Sequence, residues 1–139
     1  MVIDASVWVA AYHASDIHHQ VAANFLEAAI AADQPLNIPT LAVVEIAGAF
    51  ARQTGSATLA TRTVRDLLLV PRVAQHTLDE ELAERAVALA ARCRLRGGDA
   101  VYAALAQQLR VPLISLDREL LLRAAKLIRC IEPSNWSMR

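Results

Sequence analysis

The chain has 139 residues, 55% of them hydrophobic, and its 14 basic and 14 acidic side chains cancel. A mean hydropathy of +0.32 excludes a disordered chain, and no apolar run reaches the roughly 18 residues of a membrane span. The zero net charge argues against nucleic-acid binding driven by overall charge and leaves local basic patches as the route. One domain spanning residues 1–139 is expected, long enough to bury about 70% of the surface its unfolded chain would expose. No basic segment precedes an apolar core at the amino end, so a cytoplasmic protein without a signal peptide is expected. Cys93 and Cys130 lie far apart and in no C-x-x-C pattern, which predicts two semi-buried thiols.

In chain order, Val2–Ala5 reads as a short buried strand and Ser6–His13 as a helix that follows at once. Asp16 is placed to cap a longer helix to about Ala32, with apolar positions at Val21, Phe25, Ala28 and Ala29. Leu36–Ile38 is a second strand, Pro39-Thr40 opens a helix through about Gln53, and Gly55 is its C-terminal cap. Ser56 opens a helix through Leu69, stopped by Pro71, and Val73–His76 is a third strand. Thr77-Leu78-Asp79-Glu80 fits a capping box, with Glu80 reaching back to the cap amide, and starts a helix to about Leu95. Gly97-Gly98 breaks the chain before a helix over Asp99–Leu109. Leu113–Leu116 is a strand, Arg118–Lys126 a helix, and Ile128–Ile131 a last strand before Pro133. Short apolar strands alternating with helices predict an α/β fold: a mainly parallel central sheet of about four or five strands, flanked by helices on both faces.

Ligands of such sheets bind outside the carboxyl ends of the strands. Asp4 and Asp117 both stand at predicted strand ends and so face the same edge. Glu45 interrupts TLAVVEIAGAF, whose Val44 and Ile46 suggest a helix buried over much of its circumference, where a carboxylate needs a partner. Asp99 follows the glycine pair at the start of DAVYAALA. Each acid has a structural account of its own: Asp4, Asp99 and Asp117 as helix caps, and Glu45 paired with Arg52. Their combination describes a hard-cation site. Carboxylates crowded together raise one another's pKa unless a counter-charge is present, and oxygen-only ligation suits Mg²⁺ or Mn²⁺ rather than zinc.

The segments VIDASVWVAA, IPTLAVVEIAGAF, GGDAVYAALA and LISLDREL, in this order and spacing, resemble the PIN-domain ribonucleases. They are most similar to the single-domain toxins of VapBC toxin–antitoxin pairs, and the resemblance runs from Val2 to about Pro133. It implies a PIN-like domain in which Asp4, Glu45, Asp99 and Asp117 hold one or two Mg²⁺ ions, with Mn²⁺ able to substitute, and hydrolyse RNA. Ser6 is the small polar residue beside the first acid. Ser115 stands where the family pattern has a threonine, which makes Asp117 the least firmly matched position. The resemblance further implies a cognate antitoxin protein bound across the acidic groove, and a homodimer.

Other features carry two readings each. His13, His18 and His19 cluster, but without the further ligands of a zinc site they read as exposed or capping residues. Trp8 and Tyr12 share a helix face, in the core or lining a groove near the site. Arg92, Arg94 and Arg96 precede the glycine pair and either contact RNA phosphates or complement a helix C-terminus. Arg118 is a further candidate RNA contact, in a looser group with Arg123, Lys126 and Arg129. The competing functional reading is a non-catalytic interaction or RNA-binding module on the same fold. A phosphoacceptor receiver domain requires paired acids after the first strand, and a haloacid-dehalogenase-type phosphatase requires acids two apart, where this chain has Ser6.

Overall fold

The structure, a computed structural model, describes residues 1–137. The innermost strand, β1 (Val2–Ile3), has both residues fully buried. Successive strand residues face opposite sides of a sheet, so this requires cover on both faces. The same holds for β4 (Leu113–Ile114). β1 pairs in parallel with β4, Val2 opposite Leu113, and on its other side with β2 (Leu36–Pro39), Val2 opposite Asn37. β3 (Val73–His76) and β5 (Cys130–Ile131) form the edges of an all-parallel sheet of five strands, in the order β3-β2-β1-β4-β5.

Seven helices connect these strands among the described residues: α1 (Ala5–Tyr12), α2 (His19–Ala31), α3 (Leu41–Thr54), α4 (Ala57–Leu68), α5 (Glu80–Cys93), α6 (Gly97–Leu109) and α7 (Arg118–Ala124). A 3₁₀ turn at Pro133–Asn135 follows β5. α6 is buried at every position from Ala100 to Ala106, as an apolar helix in the middle of a fold must be. α5 buries Leu82, Ala86 and Leu89, one stripe at helical spacing. Trp8 and Tyr102 are among the largest fully buried side chains, which settles the core reading for Trp8.

The α/β architecture matches the expectation, and several boundaries differ for local reasons. β1 ends at Ile3 because Asp4 already caps α1, its carboxylate accepting the Ser6 N–H. Asp16 accepts the His18 N–H at 2.8 Å and closes a turn, so it does not cap α2, which begins at His19. The cap of α5 is Asp79, whose carboxylate accepts the Leu82 N–H at 2.9 Å. Glu80 is therefore the first helical residue, and the Thr77 capping box does not form. Gly97 and Gly98 are the first two residues of α6 rather than a break. The chain turns just before them, where Arg94 adopts a left-handed φ of 54°. Pro39 closes β2 instead of opening α3, and Gly55 and Ser56 cap α3 and α4 as expected. β4 stops at Ile114, α7 at Ala124, and β5 starts only at Cys130. α3 is one-sided: it buries Ala42, Ile46 and Phe50, while Val44 is 67% exposed.

The chain builds outward from β1 through β2 to β3, then returns to the other side of β1 with β4 and β5. The crevice at the carboxyl ends of β1 and β4 is thus the switch point of the sheet, where open α/β folds bind ligands.

Candidate functional site

Asp4 leaves β1 at that switch point and is 7% exposed. Three donors converge on its Oδ2: the Ser6 hydroxyl at 2.5 Å, the Ser115 hydroxyl at 2.8 Å and the Ser6 N–H at 3.3 Å. Both hydroxyls also accept a backbone N–H, Ser6 from Leu116 at 3.1 Å and Ser115 from Asp117 at 2.9 Å. Each serine therefore has its proton directed at Asp4, and the two together tie the end of β1 to the loop after β4. Burial raises the Asp4 pKa, the serine bonds pull it back down, and the charge of Asp99 adds to the rise.

Asp117 caps α7 through Oδ1, which accepts the N–H groups of Glu119 at 2.8 Å and Leu120 at 3.0 Å. Its Oδ2 accepts from Arg96 Nη2 at 2.7 Å, and Arg96 Nε donates to Asp99 Oδ2 at 2.9 Å. Asp99 is the third residue of α6, so it is not the N-cap; that position belongs to Arg96. The two acids hold the Arg96 guanidinium more firmly cationic.

Glu45 comes from α3 and accepts the Tyr102 O–H on Oε2 at 2.5 Å. The expected partner, Arg52, lines the same cleft, but Glu45 is bonded to the tyrosine instead. Burial raises the Glu45 pKa, the Tyr102 bond opposes it, and the charges of Asp4 and Asp99 raise it further. Tyr102 is itself held protonated by burial and by the charges of Asp4 and Glu45. Gly98 makes this approach possible, since a Cβ there would lie 2.6 Å from Glu45 Oε1.

Asp4, Ser6, Glu45, Arg96 and Asp117 line one cleft of about 620 Å³, together with Asp16, His18 and Arg52. Carboxylates that raise one another's pKa need a counter-charge, and the acids and serines gathered here offer only oxygens, so their chemistry fits a hard divalent cation. Among the described residues no three Asp, Glu, His or Cys side chains already form an ion cage. The bonds explain this: Arg96 draws Asp99 and Asp117 to itself, and Tyr102 holds Glu45.

The family model of the PIN domain matches residues 1–127. The chain belongs to the PIN-domain family. Solved structures with the same fold include VapC20 of Mycobacterium tuberculosis, described as a sarcin-ricin loop cleaving toxin. It is 19% identical, with a TM-score of 0.73 over 91% of this chain and 95% of that one. FitAcB of Neisseria gonorrhoeae is 16% identical, with a TM-score of 0.73 over 97% and 99% of the two chains. A toxin–antitoxin complex from Klebsiella pneumoniae is 19% identical, with a TM-score of 0.69 over 99% and 98%. Comparison with curated proteins gave no match.

The remaining candidates of this PIN domain separate. Arg92 and Arg94 line a second groove with Leu122, Arg123 and Lys126, away from the carboxylates. Arg123 donates to the Arg94 carbonyl and pairs with Glu119. Arg118 is 89% exposed and 3.9 Å from Glu132. His13 packs edge-on against Phe50, and His19 bonds the Ala10 carbonyl, so the three histidines form no joint site. Sequence reasoning missed Tyr102, Gly98 and the bridging role of Arg96. The signal for Tyr102 was its position three residues after Asp99, on the same helix face, as a lone hydroxyl in an alanine-rich run. No helix among the described residues is long and apolar enough to cross a membrane.

Proposed function

We propose that this PIN domain is a divalent-metal-dependent ribonuclease, acting as the toxin of a type II toxin–antitoxin pair in the cytoplasm. The observation that carries this reading is the gathering of acids from four separate segments around the switch-point crevice. Asp4, Glu45, Asp99 and Asp117 would hold Mg²⁺, with Mn²⁺ able to substitute. When bound, the ion supplies positive charge against the charge developing on the phosphodiester and makes water acidic enough to attack at neutral pH.

The protein's own part is orientation. Ser6 and Ser115 fix the Asp4 carboxylate and favour its ionised form, offsetting its burial. Tyr102 does the same for Glu45, and Gly98 leaves room for that carboxylate at the start of α6. Attack by water in line with the 3′ oxygen would break the P–O3′ bond, leaving a 5′-phosphate and a 3′-hydroxyl. RNA phosphates have cations to meet beyond the cleft, at Arg118 and in the groove of Arg92, Arg94, Arg123 and Lys126. That groove lies along α7, whose N-cap is Asp117, so roughly 10 Å of helix, about two nucleotides, separates them.

An antitoxin segment laid across the cleft would find carboxylates and the exposed Val44 on its wall. The Klebsiella pneumoniae neighbour, described as a toxin–antitoxin complex, supports this partner. A homodimer completes the proposal. The alternative, a non-catalytic module, draws on the lack of a ready-made ion cage among the described residues; the presence of all four acids favours the enzyme. Labelled structured RNA, partner-free protein, Mg²⁺ or Mn²⁺, an EDTA control and an Asp99→Asn variant decide between them. Cutting that needs metal and disappears in a folded Asp99→Asn protein supports the nuclease. Equal cutting by both proteins, or none together with no metal binding, refutes it.

A further inference from the structure

Asp117 spends Oδ1 on the first amides of α7, at 2.8 and 3.0 Å, so Oδ2 is its oxygen for any ion. Arg96 occupies that oxygen at 2.7 Å and takes Asp99 Oδ2 at 2.9 Å with its Nε. A cation binding either oxygen must therefore compete with the guanidinium. The competition is local and reversible. Arg96 lies in extended backbone just before α6, and its side chain is 69% exposed on the cleft rim, free to swing into solvent.

The electrostatics point the same way. Asp99 and Asp117 both reach the one Arg96 guanidinium, so two like charges stand close together and require a positive partner. In this structure the partner is a side chain of the protein. We propose that Arg96 is the resident counter-ion of the site: it clamps Asp99 and Asp117 in the metal-free protein, and a divalent cation binds by displacing it. This rests on the metal-dependent reading above and adds a cost to metal binding that the chain itself imposes. The released guanidinium stays tethered at the rim, where its planar fork suits a substrate phosphate as well as it suited the carboxylates. The same side chain thus restrains the metal-free site and serves the loaded one.

The test is Mn²⁺ binding followed by electron paramagnetic resonance, for the unaltered protein, Arg96→Gln, and Arg85→Gln, which breaks an exposed ion pair with Glu81 outside both grooves. Two exposed ion pairs translate into a dissociation constant about 2- to 30-fold lower in Arg96→Gln. Arg85→Gln should leave it unchanged. In the unaltered protein, the assigned Arg96 Nε–H resonance should be protected in EDTA and lost to exchange as Mg²⁺ saturates the site. Equal or weaker Mn²⁺ binding by Arg96→Gln overturns the counter-ion role alone. If no protein binds Mn²⁺, the metal-dependent reading falls and takes the displacement with it. If Arg96→Gln does not fold, the resonance decides: its persistence at saturating Mg²⁺ overturns the proposal.

Discussion

Replacing Tyr102 by Phe removes one oxygen and leaves the buried ring in place. The hydroxyl donates at 2.5 Å to Glu45 Oε2, a half-buried carboxylate. A hydrogen bond to a charged group contributes about 1.5–3 kcal/mol, and a neutral one about 0.5–1.5 kcal/mol. The loss should therefore depend on whether Glu45 is ionised. Burial places the folded pKa of Glu45 above its ordinary value, so the folded state holds this proton more tightly than the unfolded chain. Stability linked to Glu45 is then fully present below the unfolded pKa and declines as pH rises through the folded one. The Tyr102 bond restrains that rise; without it the decline extends to higher pH, and the variant's deficit grows with pH. Unfolding entropy of about 2.1 cal/mol/K per residue gives the chain roughly 0.3 kcal/mol/K. The Tm of Tyr102→Phe should thus fall by about 5–10 °C at pH 8 and about 2–5 °C at pH 4. Circular dichroism melts in EDTA measure both. A deficit equal at the two pH values, or under about 2 °C at pH 8, would refute the reasoning.

Ser115→Ala removes a donor to Asp4 and the acceptor of the Asp117 N–H, and should cost about 1–3 kcal/mol in urea unfolding. Because the lost bond lowers the Asp4 pKa, this deficit should also widen as pH rises, and a flat pH profile would count against it. Gly98→Ala places a Cβ 2.6 Å from Glu45 Oε1, so RNA cleavage should drop at least ~10-fold. Its Tm should hold within a few degrees, since alanine favours the first turn by up to ~1 kcal/mol; unaltered cleavage would show that Glu45 needs no fixed position. Arg94→Gln with Lys126→Gln should weaken RNA binding in Ca²⁺ and reduce the salt slope of the affinity by about 1–2. An unchanged slope would remove the second groove from the substrate path.

The acids themselves were legible one by one. Asp4 and Asp117 follow short apolar runs that can only be buried strands, and Glu45 stands out because its helix is otherwise apolar. Local rules erred where two signals competed at one boundary. Thr77 and Asp79 both make good caps, and the aspartate took the Leu82 amide. Gly97-Gly98 suggests a break because glycine disfavours helix, yet Gly98 lies close against the Glu45 carboxylate, which a side chain there would push aside and which no local pattern reports.

By itself the sequence determined the alternation of strands and helices, the family resemblance and which four acids to consider, because periodicity and spacing are properties of neighbouring residues. What each acid touches was decided by the tertiary structure. Ser115 reaches Asp4 across 111 residues because β4 lies beside β1, and Tyr102 meets Glu45 across 57 because α6 packs under the sheet's centre. Arg92, Arg94 and Arg96 are two residues apart in sequence, but the left-handed turn at Arg94 sends only Arg96 to the carboxylates. Contacts of that kind follow from strand order and chain reversal, which no single segment encodes.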